Sequence, residues 1–102
     1  MHKLVVFVPV AQADKLRQVL AETGAGRIGN YDSASFSVRG VGRFRPLAGS
    51  HPAIGKIGEL EKVEEERIEV VVEKSILDKV LKAVQDNHPY EEPAIDVYEL
   101  KS

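Results

Sequence analysis

Hydrophobic positions along this chain switch between a period of two and a period near 3.6, and each switch marks an element. Lys3-Leu-Val-Val-Phe-Val-Pro9 is a short apolar, β-branched run. Without polar alternation it predicts a strand buried on both faces, hence central in a sheet. Leu16, Val19 and Leu20 then fall at helical spacing, with Asp14, Lys15, Arg17, Gln18 and Glu22 on the other faces. This predicts an amphipathic helix over residues 11–23, closed by Gly24 as a left-handed cap. Tyr31, Phe36 and Val38 are the bulky members of a serine-rich segment, 31–38, whose imperfect alternation predicts a second strand. Residues 39–58 hold five glycines and two prolines, the densest punctuation in the chain, and read as one long loop.

Leu60 and Val63, then Ile68, Val70 and Val72, are separated by Glu, Lys and Arg. The first half of residues 59–74 fits an extended edge ribbon or a short helix, and a third strand is the preferred reading. Within it, Glu64-Glu65-Glu66 reads as a solvated face. Ser75-Ile-Leu-Asp78 fits a helix-capping box with Asp where Glu is commoner. Ile76, Leu77, Val80, Leu81 and Val84 supply the apolar stripe of a second helix, with His88 in its last turn and Pro89 as its stop. Residues 94–100, with Ile95, Val97 and Tyr98, form a fourth strand. The order βαββαβ predicts an α+β, ferredoxin-like fold. It is a four-stranded antiparallel sheet with two helices on one face, built by residues 1–102 as a single domain.

Composition acts mainly by exclusion. A chain of 102 residues builds a modest core, which favours oligomerisation as a way to cover apolar surface. The absence of cysteine removes disulfides, thiolate metal sites and thiol nucleophiles. Fourteen Lys and Arg against sixteen Asp and Glu give a net charge of −2, without the basic footprint of a nucleic-acid binder. No apolar run approaches the ~20 residues of a membrane span and the N-terminus lacks a signal-peptide pattern, so the expected location is the cytoplasm.

Two glycine motifs fail on context. Gly24-Ala-Gly-Arg-Ile-Gly29 matches G-x-G-x-x-G but follows a helix and leads into a strand, so no helix N-terminus would meet a pyrophosphate. Gly49-Ser-His-Pro-Ala-Ile-Gly55-Lys56 has one residue too many between its glycines for a P-loop. No hydroxyl follows its lysine, and Pro52 replaces a cradling N–H. Charge is more informative. Residues 27–56 carry Arg27, Arg39, Arg43, Arg45 and Lys56 against Asp32 alone, so arginine forks and glycine N–H groups there make a candidate anion site. Its expected members are Arg27, Arg43, Arg45 and Gly49. His51, His88 and Glu91, with Glu92 beside them, are candidate ligands for a divalent metal. The plainer account makes His88 an imidazole facing a helix C-terminus. No activated nucleophile or nucleophile elbow appears, and no catalytic residue is assigned.

Three segments carry a family likeness: Gly24-Ala-Gly-Arg-Ile-Gly-Asn-Tyr31, Gly40-Val-Gly-Arg-Phe-Arg-Pro-Leu-Ala-Gly-Ser50 and His88-Pro-Tyr-Glu-Glu-Pro-Ala94. Together they resemble the domain inserted into the NGG-one-interacting-factor-three-like family, which includes the bacterial YqfO proteins. Over nearly its whole length the chain looks like a stand-alone version of that insert. The insert is similar in fold to PII signalling proteins and to CutA, which implies a ferredoxin-like domain that trimerises. His-Pro-Tyr-Glu-x-Pro is also similar to the C-terminal region of CutA. In full-length members a dinuclear metal centre belongs to flanking domains, so the resemblance implies no metal-dependent hydrolysis by these residues.

By analogy with PII, residues 39–57 stand where a loop contacts partners and shapes nucleotide sites, with Arg43 and Arg45 as contacts. The expectation is a cytoplasmic PII/CutA-like homotrimer acting as a binding or regulatory module. Its small anionic ligand or divalent metal would sit between subunits, near the 24–31 turn, the 40–55 loop and the 88–93 turn. Phe44, Pro46, Leu47, Pro52 and Ile54 make that loop apolar enough to lie against a neighbouring subunit. Two alternatives differ in class. One is a small metal-dependent hydrolase-like enzyme using His51, His88, Glu91 and Glu92. The other is a structural domain that binds a protein partner through the loop.

Overall fold

The apolar run near the N-terminus becomes the strand on which the sheet is built. In the computed structural model, which describes residues 1–101, β1 spans His2–Pro9 and α1 Val10–Thr23. Strands β2 and β3 span Phe36–Phe44 and Glu61–Val72, α2 spans Leu77–Asn87 and β4 Ile95–Glu99. The sheet order is β2-β3-β1-β4, with every neighbouring pair antiparallel. As the residue pattern predicts, β1 is central and β3 pairs with it from His2↔Val72 to Pro9↔Glu65.

Strand alternation sorts the two faces. Leu4, Val6 and Val8 of β1 and Ile68, Val70 and Val72 of β3 meet Ala13, Leu16 and Leu20 of α1 and Val80 and Val84 of α2. Each fully buried aliphatic side chain there contributes about 1.5–3 kcal/mol over its exposed state. The salt bridge from Arg17 Nη1 to Glu66 Oε1, at 2.6 Å, fastens α1 to β3 beside this core. Among the described residues no helix lies on the opposite face. There Val5 is fully buried between its strand partners Glu69 and Asp96, and the Arg67 guanidinium lies 5.7 Å from the Phe7 ring centroid. Phe36 and Val38 of β2 share that face and are exposed.

Gly24 caps α1 as expected, in the left-handed region at φ 97°. Its N–H donates to the Ala21 carbonyl and that of Ala25 to the Leu20 carbonyl, the paired bonds of a Schellman closure. Three expectations need correction. The second strand does not occupy 31–38: Tyr31 only bridges back to Ile28, and β2 runs on through Gly40 and Gly42 to Phe44. Neither glycine has a positive φ. A Cβ on Gly42 would overlap the Glu65 carboxylate, so this glycine serves close packing across the ribbon and not a turn. The predicted long loop therefore shrinks to residues 45–60.

Ser75 caps nothing by its side chain; it lies inside a 3-10 turn, Lys74–Ile76, that precedes α2. The chain leaves β3 in that turn, which displaces the helix start past the serine. His88 is not in the last helical turn either. It is extended, at φ −84° and ψ 138°, immediately after α2, as a residue before proline prefers.

Gly26 provides the test of the sheet-end geometry. It has φ +83°, its N–H donates to Val71 O at 2.8 Å, and a Cβ there would overlap the Ala34 carbonyl. Gly29 has φ +57° and open space around it. Gly26→Ala is expected to lower unfolding free energy by about 2–4 kcal/mol and Gly29→Ala by about 1 kcal/mol. Urea denaturation of both variants checks the ranking, and equal losses would refute the steric account.

Candidate functional site

Where β1 ends and β3 begins, the 45–60 loop and the turn after α2 border a half-open cavity of about 800 Å³. The loop is held closed by its own backbone. Gly58 N–H donates to Pro46 O at 2.7 Å, and Ser50 donates to Leu47 O through its N–H at 3.1 Å and its hydroxyl at 2.7 Å. Gly49, Gly55 and Gly58 supply the left-handed conformations these reversals need. The backbone N–H of His51 then reaches Glu91 Oε1 and Oε2, at 3.1 and 3.2 Å, and ties loop to turn.

The turn itself is set by His88, a buried residue. Tyr90 N–H donates to its Nδ1 at 3.0 Å, and its Nε2 lies 2.7 Å from Phe7 O. Those partners assign the neutral tautomer with hydrogen on Nε2. Burial pushes the imidazole pKa below its ordinary value, against the opposing pull of the Phe7 carbonyl and the Glu65 charge. Tyr90 follows, its ring edge-on to Phe44 with centroids 5.8 Å apart. Its hydroxyl donates to Glu65 Oε2 at 2.8 Å. Burial, followed by that bond and the charges of Glu65 and Glu61, raises the phenol pKa well above its usual range. Tyr90 is thus a permanent donor.

Of the expected anion-binding residues, Arg43, Arg45 and Gly49 border the cavity. Gly42 and Phe44 share the Glu65 face of the ribbon, so the Arg43 side chain between them leaves from the other face, and Arg45 is the arginine left to reach the cavity. Neither arginine forms an ion pair or side-chain hydrogen bond among the described residues. Arg27 does not join them. It follows Gly26, which pairs with Val71, whereas the cavity adjoins Glu65 at the other end of β3. Within one chain the 24–31 turn is therefore remote from the 40–55 loop.

The expected metal set of His51, His88 and Glu91 does not converge. Both ring nitrogens of His88 are committed to backbone partners and Glu91 is bonded by the His51 N–H. Among the described residues no three His, Asp or Glu side chains are placed to hold an ion. Glu65, Tyr90, Phe7 and Phe44 were not singled out as site residues from sequence. Tyr90 stands inside the His-Pro-Tyr-Glu-Glu-Pro segment that carries the family likeness. Glu65 was concealed in a glutamate run that reads as solvated, although strand alternation alone separates it from Glu64 and Glu66.

The βαββαβ order, the antiparallel sheet and the helices on one face define a PII/CutA-like, ferredoxin-like module. CutA1 from Pyrococcus horikoshii superposes with a TM-score of 0.73 at 13% identity, over 100% of this chain and 85% of that one. No family model matches the chain. By sequence it is similar to the GTP cyclohydrolase 1 type 2 homolog of Halalkalibacterium halodurans, at 49% identity over 98% of this chain and 27% of that protein. The crystal structure of a Bacillus cereus protein related to NIF3 superposes with a TM-score of 0.86 at 48% identity, covering 99% of this chain and 26% of that one. The chain is thus homologous to one segment, PII/CutA-like in fold, of the NIF3-related proteins, and spans about a quarter of their length.

His88 gives the site a pH signature. Its folded pKa lies below the unfolded value, so as pH falls the unfolded chain takes up the proton first. The stability held by the neutral ring is complete above about pH 6.5 and is lost progressively below it. His88→Gln is expected to melt below the parent at neutral pH, with the gap narrowing as pH falls toward about 5. Thermal unfolding across that range checks it, and a gap that does not change with pH would refute the role.

Proposed function

We propose that this chain is a binding or regulatory module that holds the anionic group of a small molecule in the loop cavity. The observation that carries the reading is a preformed cavity bordered by Arg45, which forms no ion pair among the described residues. Guanidinium forks match carboxylate and phosphate geometry, and the neighbouring glycine-rich loop lets backbone approach closely. The module acts as a homo-oligomer, a trimer by analogy with PII and CutA proteins, through the sheet face that bears exposed Phe36, Val38 and Tyr98. Burying that face yields roughly 25 cal/mol per Å². The absence of cysteine fits a reducing, cytoplasmic setting. The activity named for the longer relatives is not assigned to these residues.

Native mass spectrometry of untagged protein, purified without chelator, is expected to show a trimer. Calorimetric titration with inorganic tripolyphosphate is expected to show binding that Arg45→Ala weakens about tenfold and Arg43→Ala leaves nearly unchanged. Unchanged affinity in Arg45→Ala would overturn the anion site, and a bare monomer would overturn the oligomer.

A further inference from the structure

The cavity is not uniformly basic. Arg45 is outnumbered in its lining by Glu65, Glu91 and Glu92. A simple polyanion therefore gains at Arg45 and is opposed by the carboxylates. The favoured ligand is one whose far end welcomes a carboxylate.

Glu65 is the carboxylate built for that role. Glu91 and Glu92 are exposed, whereas Glu65 is only 8% exposed. Its Oε2 is fixed by the Tyr90 hydroxyl at 2.8 Å, and its carboxylate fills the space left by the missing side chain of Gly42. Oε1 accepts no hydrogen bond within the described residues. It is not sealed away either: the one buried, unpartnered side-chain polar atom among those residues is His2 Nδ1. Glu65 also lines a smaller cavity of about 220 Å³ that shares Phe7 with the larger one. A fixed carboxylate with a spare acceptor, among the rings of Phe7, Phe44 and Tyr90, suits the N–H edge of a flat ring.

Building on the anion-binding reading above, we propose that the cavity takes an amphoteric small molecule. A flat ring bearing N–H donors is read by Glu65 and the surrounding aromatic side chains, and a linked anionic group is read by Arg45. A nucleoside phosphate and an aromatic amino acid share this chemistry. Tyr90 and Gly42 act as positioning residues, because they hold the Glu65 carboxylate in place.

Calorimetry on the full chain with four probes tests the proposal: GTP, inosine triphosphate, tryptophan and inorganic tripolyphosphate. Guanine offers a carboxylate two adjacent N–H donors, and inosine triphosphate lacks the exocyclic amine. One ring probe is expected to bind about tenfold tighter than tripolyphosphate. A GTP advantage over inosine triphosphate identifies the nucleoside phosphate, and a tryptophan advantage the amino acid. Glu65→Gln is expected to abolish the ring advantage while tripolyphosphate affinity holds or rises, which a merely structural loss would not produce.

Tyr90→Phe keeps the ring and frees the carboxylate. It is expected to cut the advantage several-fold with an unchanged circular dichroism spectrum, and it serves if Glu65→Gln does not fold. Tripolyphosphate binding as tightly as every ring probe, or a ring advantage that survives both substitutions, would overturn this proposal and leave the anion site standing. Failure of all four probes to bind would overturn both.

Discussion

The open end of the sheet depends on one buried imidazole. His88 is bonded through Nε2 to the Phe7 carbonyl and through Nδ1 to the Tyr90 N–H. It thereby joins the end of the central strand to the turn that leads into β4. Strand β1 is paired on both sides, so its end is a fixed anchor, and the turn inherits that fixity. Tyr90 is then delivered to Glu65 and Phe44, which belong to β3 and β2. Without the imidazole, a partly buried carbonyl and an N–H would each lack a partner, a cost of about 1–3 kcal/mol apiece. A second protonation would place N–H against N–H at Nδ1, which is why burial and geometry both favour the neutral ring.

The three consecutive glutamates on β3 show how the strand period turns identical residues into different devices. Glu64 is exposed. Glu66 points to the helices and is paired with Arg17 at 2.6 Å. Glu65 points to the opposite face and takes the Tyr90 hydroxyl. Each buried carboxylate is costly to desolvate and is retained with a dedicated partner. One pairing fastens a helix to the sheet; the other fastens the turn to the ribbon. The layer that stabilises the fold and the layer that shapes the cavity therefore meet at adjacent positions of one strand.

Elements whose burial is periodic were legible in the sequence. Leu4, Val6 and Val8, the Leu16–Leu20 stripe and the Val80–Val84 stripe all announce the faces they bury, and the element order follows from them. What was not legible depends on distant partners. Gly40 and Gly42 read as turn residues because the sequence does not show that the Glu65 carboxylate occupies the space beside Gly42. His88 beside Glu91 reads as a metal-ligand inventory until Phe7, from the other end of the chain, claims its Nε2. Counting charge over residues 27–56 groups Arg27 with Arg43 and Arg45, yet the fold sends Arg27 to the far end of the sheet. Sequence proximity carries no information about which end of a strand a loop joins.

The sheet itself is shared with a CutA protein at 13% identity, so the sheet carries no functional specificity. What distinguishes this chain is how its loop end is finished. The loop is closed by its own Gly58–Pro46 bond before any ligand arrives, so little ordering entropy is left to lose on binding. The cavity banks come from different parts of the fold, Arg45 from the start of the loop, Glu65 from β3 and Tyr90 from the turn. Direct contact between loop and turn rests on the exposed His51–Glu91 bond, a weak link in water. A molecule that spans from Arg45 to Glu65 would join the same two banks through charge-assisted bonds in a more shielded place, where they are stronger. Its occupancy would then set how firmly the loop is held to the sheet.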